Sequence, residues 1–94
     1  MKLQSNNVWA AIEDNSVLAE NLRLRSQLMM AISDYYKQSG LTQVKAATEL
    51  GTTQPRLNDV INGRIEKCTL DRLVNMLAAA GFKISMQIDR AAHG

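Results

Sequence analysis

Apolar residues recur every three or four positions from residue 16 onward, a spacing that predicts amphipathic helices. A first helix is expected from Asn15 or Ser16 to Ser39, because "EDNS" supplies capping side chains before it and Gly40 can end it. Its apolar face carries Leu18, Leu22, Met29, Ile32 and Tyr36. This long helix is expected to form one side of the core.

Two short helices are expected next, separated by a tight turn. The first follows Thr42, an N-cap residue, and ends near Gly51. The second follows Thr53, has Pro55 in its first turn, where the missing N–H costs little, and ends before Gly63. Two short helices joined by a tight turn that contains glycine form a helix-turn-helix.

The apolar period changes near the C-terminus. A further helix is expected from Thr69 to Gly81, and the alternation that follows predicts a half-buried strand with Phe82, Ile84, Met86 and Ile88 on one face. Since no other segment reads as a strand, its hydrogen-bonding partner must come from another molecule. The expected fold is therefore an all-α domain of four to five helices with a C-terminal β-strand used for dimerisation.

Three segments follow from this pattern: an N-terminal arm over 1–15, a helical domain over 16–81 and a dimerisation strand over 82–90. The arm carries an apolar cluster in an otherwise polar stretch, formed by Val8, Trp9 and Ile12. Such a cluster must either fold back on the core or dock on a partner.

The chain contains few residues that could carry out catalysis or bind a metal ion. It contains one cysteine, Cys68, and one histidine, His93, far apart in sequence, whereas a zinc site needs about four ligands. No phosphate-binding loop or nucleophile motif occurs, so we expect neither an enzyme nor a cofactor. No long apolar run suggests a signal peptide or membrane span, and the expected location is the cytoplasm. The net charge of +2 neither demonstrates nor excludes a nucleic-acid partner.

Two glutamines, Gln43 and Gln54, each follow a threonine at the start of one of the short helices. In a helix-turn-helix the second helix enters the DNA major groove with its first residues against base edges. A glutamine amide offers one acceptor and two donors, which match the N7 and N6 edge of adenine. Gln54 is thus expected to read a base, with Gln43 bracing it from behind. The alternative is that both are ordinary polar residues in first turns.

Residues 41–63, "LTQVKAATELGTTQPRLNDVING", resemble the helix-turn-helix of the lambda-repressor-like (XRE) family without a gap. The resemblance rests on Thr-Gln opening one helix, Leu50-Gly51 in the turn and Gln54 opening the next. It implies a DNA-binding domain in which Gln54 contacts bases while Gln43 and Asn62 contact phosphate.

Further contacts are expected around these positions. Pro55 stands where the family often has a small polar residue, so reading there would depend on shape or apolar contact. Asp59 would repel phosphate, accept a hydrogen bond from cytosine, or pair with Arg56. The expected base contacts are Gln54, Pro55, Arg56, Asn58 and Asp59, and the expected phosphate contacts are Thr42, Gln43, Thr53, Asn62, Arg64 and Lys67.

A wider resemblance joins "W...IEDN...AENLRLRSQLMMAI", the helix-turn-helix and "LDRLVNMLAAAGFKISMQI". It is similar to the small antitoxins of the host-inhibition-of-growth (HigA-like) kind. This implies a repressor that binds its own palindromic operator as a homodimer and neutralises a RelE/HigB-like toxin. The toxin-binding residues would be Val8, Trp9, Ile12, Leu18 and Leu22.

Two other functions stay open at this point. One is a stand-alone XRE-family transcriptional regulator without a toxin, and the other is a helical protein-interaction module. The strand over 82–90 has two possible partners as well, since it can pair with its copy in a dimer or extend a sheet of the toxin.

Overall fold

Four α-helices and one short 3-10 helix follow one another in the computed structural model, which describes residues 15–90. In chain order they are α1 (Asn15–Ser39), α2 (Gln43–Glu49), α3 (Gln54–Ile61), the 3-10 helix η1 (Ile65–Lys67) and α4 (Leu70–Ala79). The predicted helical class is confirmed for this part of the chain. The arm residues Val8, Trp9 and Ile12 lie outside the described residues.

Threonine side chains begin α2, α3 and α4, as the sequence predicts. Thr42, Thr53 and Thr69 have extended backbone angles, and each hydroxyl oxygen accepts a hydrogen bond from the backbone N–H three residues later. The donor–acceptor distances are 3.2, 3.3 and 3.3 Å. Each cap stabilises its helix by about 1 kcal/mol. The local sequence therefore sets where each of these helices starts.

The turn between α2 and α3 packs tightly against α4 at Gly51. This residue has a φ of +62°, and a Cβ atom placed on it would lie 3.1 Å from Cβ of Ala79. The N–H of Thr52 donates to the carbonyl oxygen of Ala47 at 2.9 Å and closes the end of α2. Glycine at 51 thus allows both the sharp turn and the close approach of α4.

The core is formed where α1 packs against α2, α3 and α4. Four of its side chains, Ile32, Leu50, Leu57 and Leu73, are fully shielded from solvent. Burial of one such side chain contributes roughly 1.5 to 3 kcal/mol. Its other buried members are Met29, Ala46, Ala47, Val60, Cys68, Met76 and Leu77. Each of the four helices supplies part of this core.

The N-terminal half of α1 extends beyond that core. Leu18, expected on the apolar face, is 45% exposed, Leu22 is half-buried, and the neighbouring Val17 is 78% exposed. A helix of 25 residues is about 37 Å long, whereas the three helices packed against it have 7, 8 and 10 residues. They are too short to cover α1 along its whole length.

The predicted C-terminal strand does not form within the described chain. Residues 82–90 have no regular secondary structure, and no other strand occurs between residues 15 and 90 to supply hydrogen bonds. The expected half-buried face is also exposed, with Met86 at 78% and Ile88 at 85%.

Phe82 packs within its own chain, because its ring lies edge to face on Tyr35 with centroids 5.6 Å apart. Its N–H donates to the carbonyl oxygen of Leu77 at 2.9 Å.

Candidate nucleic-acid interface

The first residues of α2 and α3 lie side by side across the turn. Nε2 of Gln54 donates to Oε1 of Gln43 at 3.5 Å, a long hydrogen bond. Gln54 is exposed and Gln43 is half-buried. Because a glutamine amide has two donors and one acceptor, Gln54 keeps one N–H and its own oxygen free for another partner. The structure thus places the two amides in the arrangement that the sequence predicts.

A shallow concave surface surrounds this pair, and we call it the recognition surface. It brings together residues from α2, from the exposed side of α3 and from the segment that follows α3. Its lining consists of Gln43, Gln54, Pro55, Asn58, Asp59, Arg64 and Lys67. All seven are among the predicted base or phosphate contacts.

Polar side chains at the end of α3 form a connected network on this surface. Oδ1 of Asn58 accepts from Nδ2 of Asn62 at 2.9 Å and from the guanidinium of Arg64 at 3.2 Å. The same guanidinium nitrogen donates to Oδ1 of Asp59 at 3.0 Å. Arg64 is therefore held against α3 rather than extended into solvent.

The ion pair of Asp59 corrects one expectation from the sequence. Asp59 pairs with Arg64, five residues later, and not with Arg56. Arg56 is exposed and its side chain makes no ion pair with residues 15–90. The left-handed turn at Gly63 has a φ of +70°, and it brings Arg64 back toward α3. From the sequence, the spacing of three residues on one helix suggested a pair between Arg56 and Asp59, and it gave no sign that the chain turns back after α3.

Three of the predicted phosphate contacts already serve the fold. The hydroxyl oxygens of Thr42 and Thr53 accept the capping bonds of α2 and α3. Each hydroxyl still has a hydrogen to donate, so a phosphate oxygen beside it could be bound as well. The amide of Asn62 donates to both the backbone and side-chain oxygens of Asn58.

Arg25 positions the recognition surface from α1, and sequence reasoning did not single it out. Its guanidinium donates to Oδ1 of Asn21 at 2.6 Å and to the carbonyl oxygen of Ile65 at 3.2 Å. The second bond joins residues 40 positions apart and fixes η1, which begins directly after Arg64. No local pattern in the sequence signals a contact across that separation.

The chemistry of this surface is that of hydrogen bonding and charge. It presents amides, a guanidinium, an ammonium and one carboxylate.

Within residues 15–90, no cluster of histidine, cysteine or carboxylate side chains has the spacing of a metal site. In the same part of the chain, no helix has the length and apolar character of a membrane span.

Comparison with protein families identifies the fold. The family model of a helix-turn-helix domain matches residues 11–89, which is well over half of the chain. The chain belongs to this helix-turn-helix family. A helix-turn-helix domain indicates a DNA-binding regulator. A comparison with curated proteins finds no match.

The helix-turn-helix domain carries a second, apolar surface away from the recognition surface. The C-terminal segment, α1 and α4 enclose an apolar cleft of about 400 Å³. Ile84, predicted as a dimerisation residue, lines this cleft and is 39% exposed. The other lining residues are Leu24, Gln27, Leu28, Leu70, Val74, Ser85 and Met86. Ile84 is thus partly engaged within its own chain, whereas Met86 and Ile88 remain largely exposed.

Proposed function

We propose that this helix-turn-helix protein is a sequence-specific repressor that binds a palindromic DNA operator. The observation that supports it most is the contact between Gln43 and Gln54 at the start of the recognition helix. In helix-turn-helix proteins this end of the second helix lies against base edges in the major groove. The half-buried Gln43 restrains the Gln54 amide while leaving it one donor and one acceptor, the pair that adenine requires.

In this proposal the remaining residues of the recognition surface divide between bases and backbone. Asn58, Asp59 and the exposed Arg56 lie along α3 beyond Gln54, and Pro55 adds a rigid apolar contact. Lys67 follows α3 and is exposed, so it contacts phosphate. Arg64 contributes a phosphate contact only when it leaves Asp59. The other proposed phosphate contacts are Thr42, Gln43, Thr53 and Asn62.

The repressor acts as a homodimer in this proposal, because two recognition helices must lie about 34 Å apart to enter successive major grooves. The segment over 82–90 supports the dimer. Its backbone N–H and C=O groups beyond Phe82 have no hydrogen-bond partner in residues 15–90, and Met86 and Ile88 are 78% and 85% exposed. An antiparallel pair of these segments, related by a two-fold axis, would satisfy those groups.

The repressor is further proposed to be the antitoxin of a RelE/HigB-like toxin. The exposed start of α1 supports a protein partner, since Val17 and Leu18 offer apolar surface that the core does not cover. Leu22 continues this surface, and Val8, Trp9 and Ile12 precede it in sequence. Its site of action is the cytoplasm, where the operator lies.

A mobility-shift assay tests DNA binding directly. The probe is the DNA upstream of the protein's own reading frame, and the competitor is a random duplex, with each titration repeated at two salt concentrations. A shift that survives excess random duplex supports the repressor. If no shift occurs at either salt concentration, the protein does not repress its own operator, and a helical interaction module is favoured.

The antitoxin proposal has its own test in the neighbouring gene. An adjacent reading frame for a small basic toxin is expected, and its absence would favour a stand-alone regulator. Leu18→Asp, which places a charge on the exposed start of α1, should weaken toxin binding while the operator shift is unchanged. Deletion of residues 1–14 tests the arm in the same assay. A truncated chain that folds and neutralises the toxin at full affinity would exclude the arm as the docking element.

A further inference from the structure

We infer that Asp59 holds Arg64 back from the DNA backbone and so lowers the affinity of the recognition surface for random DNA. This inference rests on the proposed DNA-binding function and extends it to specificity. It starts from the ion pair between the Asp59 carboxylate and the Arg64 guanidinium at 3.0 Å. It assigns a specificity-determining role to a carboxylate on a surface that otherwise favours phosphate.

The geometry of Arg64 is that of a restrained side chain. One guanidinium nitrogen donates both to Asp59 and to Oδ1 of Asn58, and Asn58 is itself fixed by the amide of Asn62. Charge-assisted hydrogen bonds are stronger than neutral ones. To reach a phosphate, Arg64 must give up both of these bonds.

Both groups are accessible from solvent, so a DNA phosphate can compete with Asp59 for the Arg64 guanidinium. The Arg64 side chain is 45% exposed and that of Asp59 is 23% exposed, so incoming DNA can approach the guanidinium. Exposed ion pairs contribute less than about 1 kcal/mol. Such a pair can therefore open when a well-placed phosphate replaces the carboxylate, and it stays closed when the backbone is poorly aligned.

The consequence concerns the sequence-independent part of DNA affinity. Each phosphate that a basic side chain neutralises releases counterions and steepens the dependence of log K on log salt by about 0.9. While Arg64 is paired with Asp59, it adds little to this slope on random DNA. On an operator that Asp59 can read, for example through a cytosine amino group, Arg64 becomes available for phosphate. Asp59 thus widens the gap between specific and random binding.

The test measures the affinity of the full chain for a random-sequence duplex at several salt concentrations. Asp59→Asn preserves the shape of the side chain but releases Arg64, so the slope should steepen by about one unit. Over a fourfold change of salt, this corresponds to an additional change in affinity of roughly three- to fourfold. In the Arg64→Gln background, Asp59→Asn should leave the slope unaltered, because no guanidinium is present to be released.

A matched control separates this mechanism from a simple loss of negative charge. Glu66 is an exposed carboxylate in η1 that makes no ion pair with residues 15–90. Glu66→Gln removes the same charge close to Arg64 and should leave the slope unchanged. Circular dichroism of each variant verifies that the helices are retained.

Several results would overturn the inference while leaving DNA binding intact. They are an unchanged slope for Asp59→Asn, an equal steepening by Asp59→Asn in the Arg64→Gln background, or an equal effect of Glu66→Gln. If the unmodified chain and all variants fail to bind the duplex even at low salt, the proposed DNA-binding function itself fails, and the inference fails with it.

Discussion

Gly51 and Ala79 approach so closely that a Cβ atom at position 51 would make an unusually tight contact with α4. A methyl group there would lie 3.1 Å from Cβ of Ala79. A Cβ atom is fixed to the backbone and cannot rotate away. The contact between position 51 and Ala79 can therefore be relieved only if α4 moves away from the turn.

Gly51→Ala should therefore destabilise the protein more than alanine at a comparable open site. Gly40 is the matched control, since its φ is +70° and a Cβ atom there meets nothing within 4 Å. Both variants incur about 1 to 2 kcal/mol for a left-handed alanine, and overpacking adds about 1 to 3 kcal/mol at position 51 alone. Urea denaturation measures the difference, and equal losses would show that α4 adjusts freely.

Gln54→Ala should weaken binding to the operator by about 1 to 3 kcal/mol and hardly change binding to random DNA. The reason is that the amide contacts a base edge and not the backbone. Fluorescence anisotropy on both duplexes measures the two affinities, with Gln38→Ala on α1 as an exposed glutamine outside the recognition surface. Equal losses on operator and random DNA would contradict the base-reading role.

Lys67→Gln should flatten the dependence of log K on log salt by about one unit. Lys67 is exposed on the recognition surface and makes no ion pair with residues 15–90, so its charge is available to a phosphate. Lys37→Gln, near the end of α1, is the matched control and should leave the slope unaltered. If both variants give the same slope as the unmodified protein, Lys67 is an ordinary solvated charge.

Met86→Pro should abolish dimerisation and weaken operator binding while the helices are retained. Proline removes the backbone N–H that an antiparallel pair of C-terminal segments would use. Met86 is 78% exposed, so this change disturbs less packing than one at Ile84 would. Analytical ultracentrifugation gives the oligomeric state, and Met86→Ala keeps the N–H as a control. A dimeric proline variant would show that the two chains associate through another surface.

Cys68 should react slowly with iodoacetamide in the folded protein. Burial, reinforced by the charges of Asp59 and Glu66, raises the pKa of its thiol and so reduces the reactive thiolate. Mass spectrometry follows the reaction at pH 8, with Cys68→Ala/Ser26→Cys as the exposed comparison. Equal rates for the two cysteines would contradict this protection.

The raised pKa of Cys68 also affects stability at high pH. The thiol loses its proton at a lower pH in the unfolded chain than in the folded protein, so the free energy of unfolding should fall as the pH rises above roughly 8.5.

The helices were predictable because their ends depend on local chemistry. Threonine caps and left-handed glycines act within a few residues, so α1 was expected to end at Ser39 and α3 to begin after Thr53, as observed. The neighbourhood of Gln43 and Gln54 was also predictable, since a helix-turn-helix has a nearly fixed geometry. These features require no knowledge of distant contacts.

Other features depend on contacts that the sequence does not reveal. The pairing of Arg64 with Asp59 follows from the turn at Gly63, and the bond from Arg25 to Ile65 crosses 40 positions. The strand predicted from the alternation over 82–90 was wrong for the described chain, because a strand exists only when a second strand bonds to it. A pattern within one chain cannot supply that partner.

Of the eight residues of α3, only Leu57 and Val60 are buried, and they anchor the helix to the core. Exchange of the exposed side chains of Gln54 and Arg56 therefore leaves the buried contacts of α3 intact. If α3 reads bases as proposed, this separation suits the protein for reprogramming, in which a library randomised at positions 54 and 56 is selected for new DNA sequences. By the same logic, related helix-turn-helix proteins could acquire distinct DNA targets through a few substitutions while sharing one scaffold.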